Sequence, residues 1–371
     1  MSRQQAIMKI SALITFLEEQ APLRLQESYD NSGLICGNPD SEIESVLIAL
    51  DCTEEIIEEA RKKGCGMVIS HHPIVFKGLK RFTGSNYVER TIISAIKNDI
   101  AIYAIHTNLD HVNQGVNRRI CDKIGLDNQR ILEPKTEQLL KLGVYVPADH
   151  AEAVRSSLFA AGAGRIGNYS DCSFNLIGEG TFKATEGADP FVGEVGKRHS
   201  ETEIRIEVVF PFWLEKVVMN HLRKSHPYEE IAYDLIQLKN SLQTVGAGMI
   251  GELPESMTEA EFLSHLKQNM NLKVIRHTSF CGKNVKKVAV CGGSGSFLIG
   301  PAISSGSDFY VTADVKYHEF FDAEGKLVIA DIGHFESERF TIDLLGEWIS
   351  EKFPTFAVRL TETNTNPINY F

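Results

Sequence analysis

The chain has 371 residues, 43% of them hydrophobic, and a formal net charge of −11. That length favours two domains, the apolar fraction supports a sizeable core, and the negative balance argues against a general nucleic-acid-binding surface, leaving nucleic acid as a partner only at a local basic patch. No apolar run approaches the length that spans a bilayer, and the seven cysteines form no Cys-x-x-Cys pair and read as reduced core residues, so a cytoplasmic protein without membrane contact is expected.

Residues 1–5 carry no secretory signature and lead into an amphipathic helix predicted over 6–19. The run 45–51 reads as a strand. Thr53 then caps a helix over 54–63, with acids early and bases late as the helix dipole prefers. Gly66-Met67-Val68-Ile69 is a second buried strand, bounded by glycine and by the Ser70-His71-His72-Pro73 that follows. Strand, helix and strand in so few residues make a βαβ unit with parallel strands. The two histidines therefore sit just past the carboxyl end of a parallel strand, where open α/β sheets place their ligands. Neighbouring side chains on an extended strand face opposite ways, so both imidazoles cannot enter one core, but from a loop they can splay toward two ions. The following loop carries Lys77, Lys80 and Arg81, which could attract an anionic substrate.

A helix over 86–99 and a β-branched strand over 100–105 repeat the pattern. This strand ends in His106-Thr107-Asn108-Leu109-Asp110-His111, so histidines and a carboxylate recur at the end of the second crossover. From about residue 137 to 240 the character changes and an internal repeat appears. Val144-Tyr145-Val146-Pro147 matches Val208-Val209-Phe210-Pro211, and Val154 and Leu158 fall at the same offset as Val218 and Leu222. Each half reads as strand, proline-opened helix and further strand (172–182 and 231–238), which together make a ferredoxin-like split βαβ fold. His221, His226, Glu229 and Glu230 in this segment could bind a metal but read more readily as solvated residues. Beyond residue 245 the α/β character returns. A strand over 286–291 runs into Gly292-Gly293-Ser294-Gly295-Ser296, which either cradles a phosphate at a helix start or lets backbone approach the histidine loops closely. A strand over 308–312 leads to Asp314, His318 and Glu319, candidates for supporting ligands or for handling protons, with His318 and Glu319 the catalytic candidates. A last strand over 327–332 runs into Gly333-His334-Phe335-Glu336-Ser337-Glu338. His334 and Glu338 are four apart, on one face of a helix.

The Ser70-His71-His72-Pro73, His106-Thr107-Asn108-Leu109-Asp110 and Gly333-His334-x-x-x-Glu338 motifs, in that order, resemble the NIF-three-like metalloproteins, the GTP cyclohydrolase I type 2 homologues. Asp30-Asn31-Ser32-Gly33-Leu34, Gly115-Val116-Asn117 and Thr312-Ala313-Asp314-Val315-Lys316-Tyr317-His318 extend the resemblance over nearly the whole chain. It implies a dinuclear metal site carried by His71, His72, Asp110, His334 and Glu338, a toroidal homohexamer, and a PII/CutA-like insert. The expected architecture is a discontinuous α/β metal-binding domain (1–136 with 241–371), its strands flanked by helices, interrupted by a ferredoxin-like α+β insert (137–240). Five ligands serve two ions only if carboxylates bridge and water fills open positions, as in catalytic sites. Imidazole and carboxylate without thiolate suit zinc, with iron or manganese as alternatives. Three functions follow as expectations: a hydrolase of a nucleotide-like or other phosphate-bearing substrate, a metal-dependent scaffold or regulatory binding protein, and a metal-storage or delivery protein.

Overall fold

The computed structural model describes residues 6–371. Residues 1–5, and the expectation made for them, lie outside the described residues. The chain divides into two compact units, Met1–Pro134 with Gln243–Phe371, and Lys135–Leu242.

Among the described residues the larger unit holds two large sheets, besides the short pair Met8–Lys9 with Glu42–Ile43. One runs Ala357–Leu360, Ser45–Ala49, Met67–Ser70, Ala101–Ala104, Gly33–Cys36 in spatial order. Its first four strands are parallel and the last is antiparallel. Met67–Ser70 and Ala101–Ala104 are buried throughout, as strands covered on both faces must be. The helix Glu54–Lys62 makes the first crossover, and Thr53 accepts the amide of Ile56 at its start. The helix Tyr87–Lys97 makes the second, capped in the same way by Asn86. Their inner faces and the strands between them share one core that includes Leu47, Ile56, Ile57, Val68, Ile92 and Ile102.

The second sheet has six strands, in the order Arg276–His277, Val328–Asp331, Phe309–Ala313, Asn284–Ser294, Gly246–Thr258, Asp127–Pro134. The central three are parallel, and antiparallel strands close both sides. In both sheets the carboxyl ends of parallel strands carry the histidine motifs.

The smaller unit runs strand, helix, strand, strand, helix, strand. Its antiparallel sheet has the order Tyr233–Leu238, Leu139–Pro147, Arg198–Pro211, Phe174–Lys183. The helices Ala151–Ala160 and Glu215–Ser225 bury Val154, Leu158, Val218 and Leu222 against Leu142, Val144, Ile206, Val208 and Phe210 of one sheet face. The two repeat strands are direct neighbours, with Val144 opposite Ile206. Each repeat proline precedes a single 3-10 turn, Ala148–His150 or Phe212–Leu214, and the helix opens only after that turn.

Two local expectations change. The N-terminal helix spans Ile10–Gln20 rather than 6–19, because Met8–Lys9 pairs with Glu42–Ile43 as a short strand. The glycine-rich stretch is not a helix start, since the strand continues through Ser294 and a 3-10 turn, Ser296–Leu298, intervenes before the helix Ile299–Ser304. Two of its amides are already used: Gly292 N–H donates to Asn117 Oδ1 at 2.9 Å and Gly293 N–H to Ser337 Oγ at 3.0 Å. A phosphate would find these two donors taken, so close backbone approach is what the glycines provide.

Candidate metal centre

The strand Met67–Ser70 delivers His71 and His72 together because its ladder runs on past its end. The His71 amide bonds the Ala49 carbonyl at 3.3 Å and the His72 amide bonds that of Leu50 at 2.9 Å. The strand Ala101–Ala104 delivers His106, then a one-turn helix, Thr107–Asp110, brings Asp110 around. From the other sheet, Val328–Asp331 leads through Gly333 into the short helix His334–Glu338. Asp331, 4% exposed, accepts the amides of Val315 and Gly333 and pairs with Arg276, so it fixes the loops that carry Asp314 and His334.

Each of four imidazoles has its Nδ1 tied to an oxygen. His71 Nδ1 donates to the Ile105 carbonyl at 2.8 Å and His72 Nδ1 to Asp51 at 2.7 Å. His106 Nδ1 donates to Asp30 at 2.8 Å and His334 Nδ1 to Asp314 at 2.7 Å. A proton fixed on Nδ1 leaves Nε2 as the lone pair, which is the ligating tautomer, and for His72, His106 and His334 the carboxylate behind the ring raises its basicity. Asp314 takes a left-handed backbone (φ 52°) to make its contact, a conformation uncommon for a side-chain-bearing residue and concentrated at functional sites.

The Nε2 atoms face Glu338 and Asp110. Glu338 Oε2 lies 3.0 Å from both His72 Nε2 and His334 Nε2, which are 3.3 Å from each other. His71 Nε2 lies 3.7 Å from Asp110 Oδ1 and 3.8 Å from Glu338 Oε1. His71 Nε2 and Asp110 Oδ1 are buried polar atoms without a hydrogen-bond partner. Such atoms cost free energy unless something satisfies them. Three sets of donors lie within 4.8 Å of one another: His71, His72 and His106; His72, His334 and Glu338; His71, Asp110 and Glu338. The orphaned donors, the tautomers and the mixed imidazole–carboxylate chemistry fit divalent ions.

Protonation shows the same strain. Burial and then the charge of Glu338 push the Asp110 carboxyl up to about 7. Burial works against charge on His72 and His334 too, yet bonds to Asp51 and Glu338 raise His72 to about 10, and bonds to Glu338 and Asp314 raise His334 to about 9. Burial likewise disfavours the Glu338 carboxylate, but the three facing histidines hold it well below the usual carboxylate range.

The five residues expected as ligands are thus brought together. His106, with Asp30 behind it, and Asp51, behind His72, complete the cluster and were not among the expected ligands. His106 closes its strand just as His71 closes the neighbouring one, a parallel visible in the sequence. Thr365 also reaches in and donates to Asp51 Oδ2 at 2.5 Å. His318 packs at 5.1 Å against the Tyr317 ring and Glu319 accepts the Lys316 amide, and neither lines the cavity around the cluster. Lys77, Lys80 and Arg81 are exposed and lie outside the same lining.

Imidazoles and carboxylates converging at the carboxyl ends of two sets of parallel strands mark an α/β protein with a candidate metal-binding site. Residues 8–367 match the Duf34/NIF3 (NGG1p interacting factor 3) family, and the chain belongs to that family. A Bacillus subtilis protein named GTP cyclohydrolase 1 type 2 homolog is 38% identical over 368 residues, covering 96% of this chain and 97% of that one. A Halalkalibacterium halodurans protein of the same name is 42% identical over 325 residues, 87% of each chain. The crystal structure of a Bacillus cereus protein related to NIF3 superposes with a TM-score of 0.85 at 38% identity, covering 99% of this chain and all of that one.

Proposed function

We propose that this protein is a metal-dependent hydrolase that uses two divalent ions, zinc foremost with iron or manganese as alternatives, on a nucleotide or other phosphate-bearing substrate. The observation that carries the reading is the set of Nδ1-anchored imidazoles turned toward Asp110 and Glu338 in an open cavity of about 980 Å³. His71, His72, Asp110, His334 and Glu338 would hold the ions, with His106 within reach. Bound there, the ions would supply Lewis acidity and a nucleophile at neutral pH. Asp51, Asp30 and Asp314 orient the imidazoles, and burial keeps Glu338 from turning to solvent. Relatives carrying the name GTP cyclohydrolase 1 type 2 homolog support a heterocyclic or phosphorylated substrate.

The reading extends to assembly. The smaller unit is proposed to be a ferredoxin-like, PII/CutA-like insert, supported by its strand order, and the protein a toroidal homohexamer, which light scattering tests directly. For the chemistry, metal-loaded protein is assayed on a panel of phosphoesters and nucleotides. The expected result is slow turnover that is lost on chelation and abolished in kcat by Asp110→Ala. Metal-loaded parent that turns over no member of the panel would overturn the hydrolase reading and favour a metal-dependent scaffold.

A further inference from the structure

The cavity around the metal cluster has two properties that together describe its ligand. The first is charge. Among the described residues that line it there is no Lys and no Arg, whereas Glu27, Asp51, Asp110 and Glu338 all do. Glu27 is bonded by His111 at 2.7 Å, but Asp51, Asp110 and Glu338 in the lining, with Asp30 and Asp314 directly behind His106 and His334, already bring more negative charges than two divalent ions bring positive ones. A site occupied as proposed is therefore neutral to negative overall. Sites that hold polyphosphates do the reverse and surround the phosphates with Lys, Arg and free backbone amides. Here the cations Lys77, Lys80 and Arg81 lie outside the lining, and the Gly292 and Gly293 amides are bonded to Asn117 and Ser337.

The second property is the walls. Tyr29, Phe76, Tyr87 and Phe297 line the cavity and are 67%, 49%, 59% and 62% exposed, with Phe335 and Ile368 beside them. Phe76 stands edge-on to His106, with ring centroids 5.6 Å apart, so an aromatic wall begins directly beside the metal-facing imidazoles. Large aromatic side chains left half open around a polar centre are stacking surfaces for flat rings.

We infer that the ligand of this site is a planar heteroaromatic compound of low charge, a nucleobase, nucleoside or nucleoside monophosphate, and not a nucleoside triphosphate. The inference rests on the reading of this cavity as a substrate site and narrows the substrate class proposed above. Its energetics come from ring stacking and from at most one anionic group near the ions, since each added phosphate would enter a field that does not favour it.

The test is equilibrium dialysis of the full-length, zinc-loaded protein against a charge ladder of guanosine, GMP and GTP, repeated with adenosine, AMP and ATP. Ribose 5-phosphate serves as the probe without a ring. The expected result is that nucleoside or monophosphate binds at least as tightly as triphosphate and that ribose 5-phosphate binds at least tenfold more weakly than GMP. Phe76→Ala and Phe297→Ala should each weaken nucleoside binding by roughly tenfold, the scale of one lost stacking partner. Phe76→Leu and Phe297→Leu keep the bulk, so weakening in these as well assigns the loss to the ring. Triphosphates binding tenfold or more above their monophosphates would overturn the inference, and loss of that advantage in a Lys77→Ala/Lys80→Ala/Arg81→Ala variant would assign it to the basic loop. No binding by any purine compound would overturn it too. Binding in the expected order without turnover would leave the inference standing and remove only the hydrolase reading.

Discussion

Gly293 offers a way to disturb the candidate metal centre without replacing any of its candidate ligands. Its backbone is left-handed, at φ +62°, and a methyl group on its Cα would lie 3.3 Å from Glu338 Cδ and His334 Cε1, with Glu338 Oε1 closer still. Gly293→Ala therefore meets two separate costs. The left-handed backbone costs about 1–2 kcal/mol for a residue with a Cβ. The second cost is displacement of a carboxylate that is 3% exposed and bonded at 3.0 Å by His72 and His334, where each such charge-assisted bond contributes roughly 1.5–3 kcal/mol. Gly306→Ala is the control, because it has φ +72° in the same unit and nothing within 4 Å of the added methyl. We expect Gly306→Ala to lose about 1 kcal/mol, a Tm drop of roughly 2–4 °C for a domain near this size, with metal content unchanged. Gly293→Ala should lose at least about 3 kcal/mol and at least one ion per chain. The assay is thermal unfolding with and without chelator, paired with metal analysis by mass spectrometry. A Gly293→Ala protein with the stoichiometry of the parent would refute the claim that this close approach sets Glu338.

Three further outcomes follow from the same geometry. His71→Ala and Glu338→Ala should each lose at least one of about two ions, since each removes a shared donor, and unchanged stoichiometry in both would sink the ligand set. Without metal, the folded chain holds protons that the unfolded chain releases, on Asp110 between 3.8 and about 7 and on His72 between 6.5 and about 10. Raised folded values mean that stability falls as pH rises, by about 1.4 kcal/mol per pH unit for each group inside its window. Denaturant titration of chelated protein should thus give lower stability at pH 8.5 than at pH 6, and the opposite order would contradict it. Added divalent ions compete with those protons and should reverse the trend. Finally, replacing residues 135–242 with a short linker should leave a cooperatively folding chain with its metal intact, because the ligand candidates all lie in the other unit. Loss of both metal and cooperative unfolding would show that the excised residues belong to that core.

Much of the site was legible in one dimension. Buried parallel strands are short apolar runs with turn residues at their ends, so the runs before His71, His106 and His334 announced themselves, and with them the loops past their carboxyl ends. Thr53 and Asn86 marked the crossover helices through local capping, and the spacing of His334 and Glu338 placed both on one helical face. Those signals are local, and local backbone preferences decide them.

The partners of the imidazoles are a different matter. Asp51 stands 21 residues from His72, Asp30 stands 76 from His106, and Thr365 reaches Asp51 across 314. No periodicity relates such positions, because which loops of the sheet meet depends on strand order and on where each crossover returns. The same holds for the basic loop and the glycine run. Lys77, Lys80 and Arg81 follow His72 closely in the chain but leave the cavity, while Gly292 and Gly293 spend their amides on Asn117 and Ser337. Residue types and short-range spacing determined which donors the chain carries. Strand order within each sheet decided which oxygen holds each Nδ1, and the meeting of the two sheets decided which Nε2 atoms face Glu338 and how little positive charge the cavity retains, because burial and charge are properties of neighbours in space.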